Sequence, residues 1–223
     1  MTTRRRWIAF ALAAPLAARL AVLREALAAG KIEKGVYRVR GDARVNGTPA
    51  REGMDVKAGD RITTGADGEL LFVIGKDAML VRSNARVEVT GRSGALLAAG
   101  LRVITGAVLS VFSPGARRTI TVRTATIGIR GTAVYVEDMA DRAYVCTCYG
   151  VADIAAEDDP AVHETVRTEH HDQPRYVYPP GAATRIVRAP VINHTDAELI
   201  LLESLVGREP PFVAREDYRP GDY

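Results

Sequence analysis

Short β-type runs broken by turn residues dominate this chain and decide what it can fold into. A first strand is predicted over 31–40, and Gly41-Asp42 and Asn46-Gly47 then punctuate a hairpin. Gly59-Asp60 and Ala66-Asp67-Gly68 lead into the apolar run 70–74, and Gly75-Lys76-Asp77 turns the chain again into 79–81. Further strands are predicted over 86–90, 101–104, 107–112, 119–124, 127–136 and 143–154. Many short strands at this spacing indicate an all-β fold: a sandwich, barrel or β-roll.

The series closes on Thr126-Ile127-Gly128-Ile129-Arg130-Gly131-Thr132, followed by alternation to Val136. Two glycines inside a β-patterned run weaken it, because glycine loses much freedom on folding and packs no side chain. Gly128, Arg130, Gly131 and Thr132 therefore read as a structural corner. A bent strand there would aim the Arg130 guanidinium along a neighbouring loop.

The composition is globular: 47% hydrophobic against 26% charged leaves enough apolar surface for a core. A sequence pI near 9.0 suggests nucleic acid, but the charge is in the wrong place. Residues 1–29 hold Arg4, Arg5, Arg6, Arg19 and Arg24 against Glu25, a net +4, and the whole chain carries +3. Residues 30–223 are thus at −1, with no basic footprint for a phosphate backbone.

Arg4 to Arg6, the apolar run Trp7 to Ala18 and the small residues Ala26-Leu27-Ala28-Ala29 form the three regions of an export signal. The arginines also fit the twin-arginine type, and the alternative is an uncleaved signal anchor. The apolar run is too short to span a bilayer comfortably. The expectation is a periplasmic or otherwise exported protein, with no transmembrane segment once the leader is cleaved. It is membrane-anchored if the leader stays.

After Ile154 the character changes, and residues 155–223 read as a C-terminal extension. Thr195-Asp196-Ala197-Glu198 has capping-box spacing, so one short helix is predicted over about 196–206, with Gly207 as its C-terminal cap. Leu199, Leu202, Leu205 and Val206 give it an apolar face. The tail from 209 on is expected to be extended over the surface or disordered.

The reactive groups are few. Cys146 and Cys148 flank Thr147 on an alternating strand, so both thiols share a face. Their Cβ atoms would lie about 6–7 Å apart, against the roughly 3.8 Å of a disulfide. Buried thiols, a strained disulfide and shared metal ligands all remain open. The histidines His163, His170, His171 and His194 all follow the cysteines. Cys146 and Cys148 with His170, His171 and His194 form the candidate ligand set for zinc or another transition metal. The spacing is that of neither a zinc finger nor a ribbon, and there is no Cys-x-x-Cys-His for covalent haem. No Gly-x-Ser-x-Gly and no phosphate loop occur, so no catalytic residues and no enzyme activity are expected.

Three blocks carry a resemblance. Gly59-Asp60-Arg61-Ile62-Thr63-Thr64-Gly65-Ala66-Asp67-Gly68, then Ser83-Asn84 leading to Val87 and Val89, and finally Arg130-Gly131-Thr132 leading to Val136 occur in that order. Over 35–154 this resembles the FecR domain. The resemblance implies an extracytoplasmic, all-β, non-catalytic module, which in its best-known setting passes a signal from an outer-membrane transporter to a sigma factor. Only six residues precede Trp7, so no cytoplasmic arm and no anti-sigma role are expected. The reading is an exported FecR-domain protein acting as a binding or signalling scaffold, with another cell-envelope protein as partner. The alternative is a metal- or haem-linked periplasmic protein using the Cys-x-Cys pair and the histidines.

Overall fold

The computed structural model describes residues 34–215 except 93–97, 116 and 132, together with 218 and 219. The expected leader, 1–29, and Thr132 lie outside the described residues. Fifteen strands and one α-helix are present among the described residues. One sheet contains β1 (Gly35–Arg40), β5 (Glu69–Ile74), β6 (Asp77–Val81), β11 (Ala133–Asp138), β14 (Arg175–Val177) and β15 (Ile186–Arg188). The other contains β2 (Ala43–Val45), β3 (Thr48–Pro49), β4 (Arg61–Thr64), β7 (Arg86–Thr90), β9 (Arg117–Thr121), β10 (Ala125–Arg130) and β13 (His163–Thr168).

Two long strands, β8 (Gly100–Val111) and β12 (Ala143–Ala156), belong to both sheets. The start of β8 pairs with β7 and β9, and its end pairs with β6 and β11. The start of β12 pairs with β11 and β14, and its end pairs with β10 and β13. Each changes sheet at a glycine with positive φ, Gly106 (φ 77) and Gly150 (φ 94). That conformation lets the strand turn without a Cβ clash. Consequently β8, β9, β10, β12 and β11 pair in a closed ring, a five-stranded barrel at the centre of the all-β fold. All pairings are antiparallel except β8 with β9.

Closure produces two cores. Leu70, Phe72, Ile74, Met79, Val108, Val134, Val136 and Ile154 point inward between the sheets. Leu71, Val73, Leu80, Leu109, Val111, Tyr135 and Tyr144 point out of the first sheet into a second core. This is why 70–74 reads as an unbroken apolar run: both of its faces are covered.

The cover over the second face is α1 (Asp196–Leu205). Thr195 and Glu198 form the reciprocal capping box that starts it, and Gly207 follows its end at φ 72. Its buried Leu199, Leu201, Leu202 and Leu205 pack into the second core, each worth roughly 1.5–3 kcal/mol of burial. The following chain does not leave the protein as a loose tail. Pro211–Ala214 makes a 3-10 turn that buries Phe212 completely in the same core, because a phenylalanine laid on the surface would forgo that burial. Residues beyond 154 therefore continue both sheets and roof one of them. No helix among the described residues is long and apolar enough to cross a membrane.

Candidate metal centre

Cys146 and Cys148 lie on the first half of β12, on the face that carries Tyr144 towards the second core. Both are free thiols and fully buried. Cys146 sits opposite Tyr135 of β11. After β13 the chain doubles back, and the backbone N–H of His171 donates to the carbonyl of Cys148 at 2.9 Å. His171 itself adopts φ 53, which carries its ring under the loop and over the sulfurs. His194 arrives from the other direction, immediately before the N-cap of α1 and after Asn193 at φ 61.

These three segments bring four donors together. His171 Nδ1 is 3.5 Å from Cys146 Sγ and 2.9 Å from His194 Nε2. One donor atom from each of Cys146, Cys148, His171 and His194 lies within 4.8 Å of the others, and all four residues are buried. The Cys148 thiol also faces the Cys146 carbonyl at 3.7 Å. An outer ring orients the imidazoles. His194 Nδ1 is 2.6 Å from the Ile192 carbonyl, and the Tyr135 ring stacks on His194 at 4.7 Å. His171 Nε2 is 3.3 Å from Asp196 Oδ1.

His170, the fifth candidate ligand, is directed elsewhere. Its Nε2 contacts both Asp196 oxygens, at 2.9 and 3.1 Å, and its ring stacks on Phe212 at 4.4 Å. His163 lies exposed on β13 with Nδ1 near the Ala161 carbonyl. Asp196, expected from the sequence as a helix-start partner of His194, instead faces His170 and His171. Tyr135 is the participant the sequence does not point to, because it enters only through strand register.

The electrostatics of the cluster are polarised. Burial disfavours a Cys146 thiolate, but the contacts from Cys148, His171 and His194 outweigh it and hold this thiol well below its ordinary range. Burial, with the neighbouring Cys146, pushes the Cys148 thiol well above it. Burial also opposes a charge on His171, yet Asp196 and Cys146 hold its imidazole above the usual histidine range. The residues are sealed: Cys146 and Cys148 are 0% exposed, His171 2% and His194 5%. The arrangement thus offers four buried donors to a single ion.

The corner residues are held in place by the scaffold. Arg130 Nη2 pairs with Asp153 Oδ2 at 2.6 Å across β10 and β12, and Gly128 lies opposite Asp153 and Thr119. Gly131 has φ 60, with Pro114 Cα 2.8 Å from where its Cβ would stand. A second buried polar group, Glu203 of α1, accepts from the Tyr149 hydroxyl and from Arg208 Nε, and Arg208 reaches the Lys76 carbonyl at 2.7 Å. Burial raises its carboxyl above the ordinary range despite those donors. It fastens the end of α1 to the turn before β6. An open cleft where β8 and β9 diverge is lined by Thr90, Arg102, Thr121, Arg123 and Glu157, with no nucleophile or paired carboxylates among them.

No family model matches the sequence, and no curated protein matches it. Among solved structures, two crystal structures of a "putative anti-sigma factor" from Parabacteroides distasonis ATCC 8503 are similar, with TM-scores of 0.46 and 0.45 and identities of 10% and 9%. Each match covers 58% of this chain and 58% of that one, so the chain spans less than two thirds of that protein's length.

Proposed function

We propose that this chain is an exported, non-catalytic module of FecR type that acts by binding another protein of the cell envelope. The observation that carries this reading is how the motif blocks are used: their polar groups are taken up by the scaffold. Thr64 Oγ1 of the first block donates to the Arg82 carbonyl at 2.6 Å and accepts from the Ala85 N–H at 2.9 Å. The Asn84 N–H of the second block donates to the Gly65 carbonyl at 2.9 Å, and Gly65 N–H donates to the Asp42 carbonyl at 2.7 Å. Arg130 and Gly131 of the third block serve the β10 corner. Used in this way, these described residues act as structural ties, which supports a binding reading over a catalytic one. The sealed cysteine–histidine cluster supports the same conclusion, and the leader pattern supports export.

The test combines N-terminal determination of the cellular protein with cell fractionation and photo-crosslinking in living cells from exposed positions such as Arg86 and Arg167. An N-terminus near Gly30, an extracytoplasmic location and discrete crosslinks to an envelope protein are expected. A cytosolic species that retains Met1, or one that forms no crosslink from either position, overturns the reading.

A further inference from the structure

Independently of that binding role, we infer that Cys146 Sγ, Cys148 Sγ, His171 Nδ1 and His194 Nε2 form a closed tetrahedral zinc site that staples the C-terminal extension to the barrel. The distances fit. Zinc bonds of about 2.3 Å to sulfur and about 2.0–2.1 Å to nitrogen place tetrahedral donors roughly 3.3–3.8 Å apart. The Cys146 to His171 separation of 3.5 Å lies inside that range, the two imidazole nitrogens at 2.9 Å would open by about 0.4 Å, and the 4.8 Å limit on the whole set leaves about an ångström of adjustment.

The hydrogen bonds of the imidazoles make the stronger case. A backbone carbonyl only accepts, so at 2.6 Å from Ile192 O the proton of His194 sits on Nδ1 and the lone pair on Nε2. The Asp196 carboxylate, 3.3 Å from His171 Nε2, favours the proton on that nitrogen by its charge, which leaves the lone pair on Nδ1. The two lone pairs then face each other at 2.9 Å. Two acceptors this close repel unless a cation lies between them. A proton would serve the nitrogens alone, whereas a metal ion serves both nitrogens and both sulfurs. Carbonyl and carboxylate partners on the remote nitrogens are the outer shell that orients metal-bound histidines.

Charge and softness select the ion. Two thiolates and Zn²⁺ sum to zero, which suits a site walled by Tyr135 and other apolar side chains, where an unbalanced charge would be costly. Thiolate and imidazole together suit zinc and not calcium or magnesium. With four protein donors and no exposed position the site is structural. Its donors come from β12, the loop after β13 and the residue before the N-cap of α1, so one ion would reinforce a junction already tied by the His171–Cys148 backbone bond and the His170–Asp196 contact.

The full chain, purified without added metal, is assayed for zinc by elemental analysis and then reloaded with zinc or cobalt after chelation. About one zinc per chain is expected, together with the intense visible bands of tetrahedral cobalt–thiolate and a melting temperature that falls on chelation and recovers with zinc. Cys148→Ser and His194→Ala should lose the zinc, His163→Ala should keep it, and Asp196→Asn should weaken zinc affinity about 10–100-fold. If the ligand variants do not fold, the chelation and reload cycle on the parent protein still decides. Absence of zinc with a chelator-insensitive melt, or a cobalt spectrum of octahedral oxygen type, overturns the site. Neither result touches the proposed binding role.

Discussion

Replacing Gly106 by alanine tests whether the corner of β8 governs closure of the barrel. Gly106 has φ 77, and an added Cβ would stand 2.6 Å from Ala85 Cα and 2.7 Å from Ala85 Cβ. The conformation alone costs an L-residue roughly 1–2 kcal/mol. The contact adds to this, because Ala85 Cα is backbone, and Ala85 N–H is already committed to Thr64 Oγ1 at 2.9 Å. Overpacking of this kind costs about 1–3 kcal/mol. Together these give about 2–5 kcal/mol, or roughly 4–20 °C in melting temperature for a chain of this size. Gly128→Ala is the control. Gly128 is not in the left-handed region, and its nearest heavy atom would be 3.7 Å from the new Cβ. That variant should melt unchanged or up to about 1 kcal/mol more stable, since alanine loses less freedom in a strand. Thermal and urea unfolding of the two variants decide the matter. If Gly106→Ala melts within a degree of the parent, the sheet switch does not depend on this glycine and the account of closure is wrong.

Two further outcomes concern stability. Thr147 and Ser110 carry buried hydroxyls without hydrogen-bond partners, facing the inner core on either side of Val134. Thr147→Val should therefore raise stability by about 1 kcal/mol in urea unfolding, and a loss of that size would mean the hydroxyl is satisfied by an internal water. Arg175 beside Glu164 holds that carboxyl below the usual glutamate range. Its contribution is present above that range and disappears as pH falls through the lowered folded value, so Glu164→Gln should flatten the acid limb of a stability–pH curve. Superimposable acid limbs for the parent and Glu164→Gln would refute it.

Strand content is legible because turn residues mark it, but closure is not. The β8–β9 pairing is parallel and joins segments through an intervening loop, and sheet switching at Gly106 and Gly150 is a backbone property that glycine permits without announcing. The helix is legible because Thr195 and Glu198 state its start. The path over 209–215 is not, because it turns on where single side chains such as Phe212 come to be buried. Within the site, the shared face of Cys146 and Cys148 follows from the period of a strand. Which of His170 and His171 turns inward does not, because adjacent residues in a turn are separated only by backbone conformation, here φ 53 at His171.

Six polar or sulfur-bearing side chains, Cys146, Cys148, His170, His171, His194 and Asp196, meet where apolar packing would have been simpler. Burying such groups costs free energy unless each is paired, so their convergence needs a return. The attachment of α1 provides one. Ten residues of helix do not persist alone in water, and four buried leucines on a sheet face leave its position along that face weakly specified. His194 stands next to its N-cap, Asp196 begins it, and Glu203 near its far end is gripped by Tyr149 and Arg208. Directional contacts at both ends set where the helix lies, and the leucines between them supply the burial. Loss of the His194 contact would leave the start of α1 to the Arg82–Glu198 and His170–Asp196 pairs, and so loosen its cover over the apolar face of Leu71, Leu80 and Leu109.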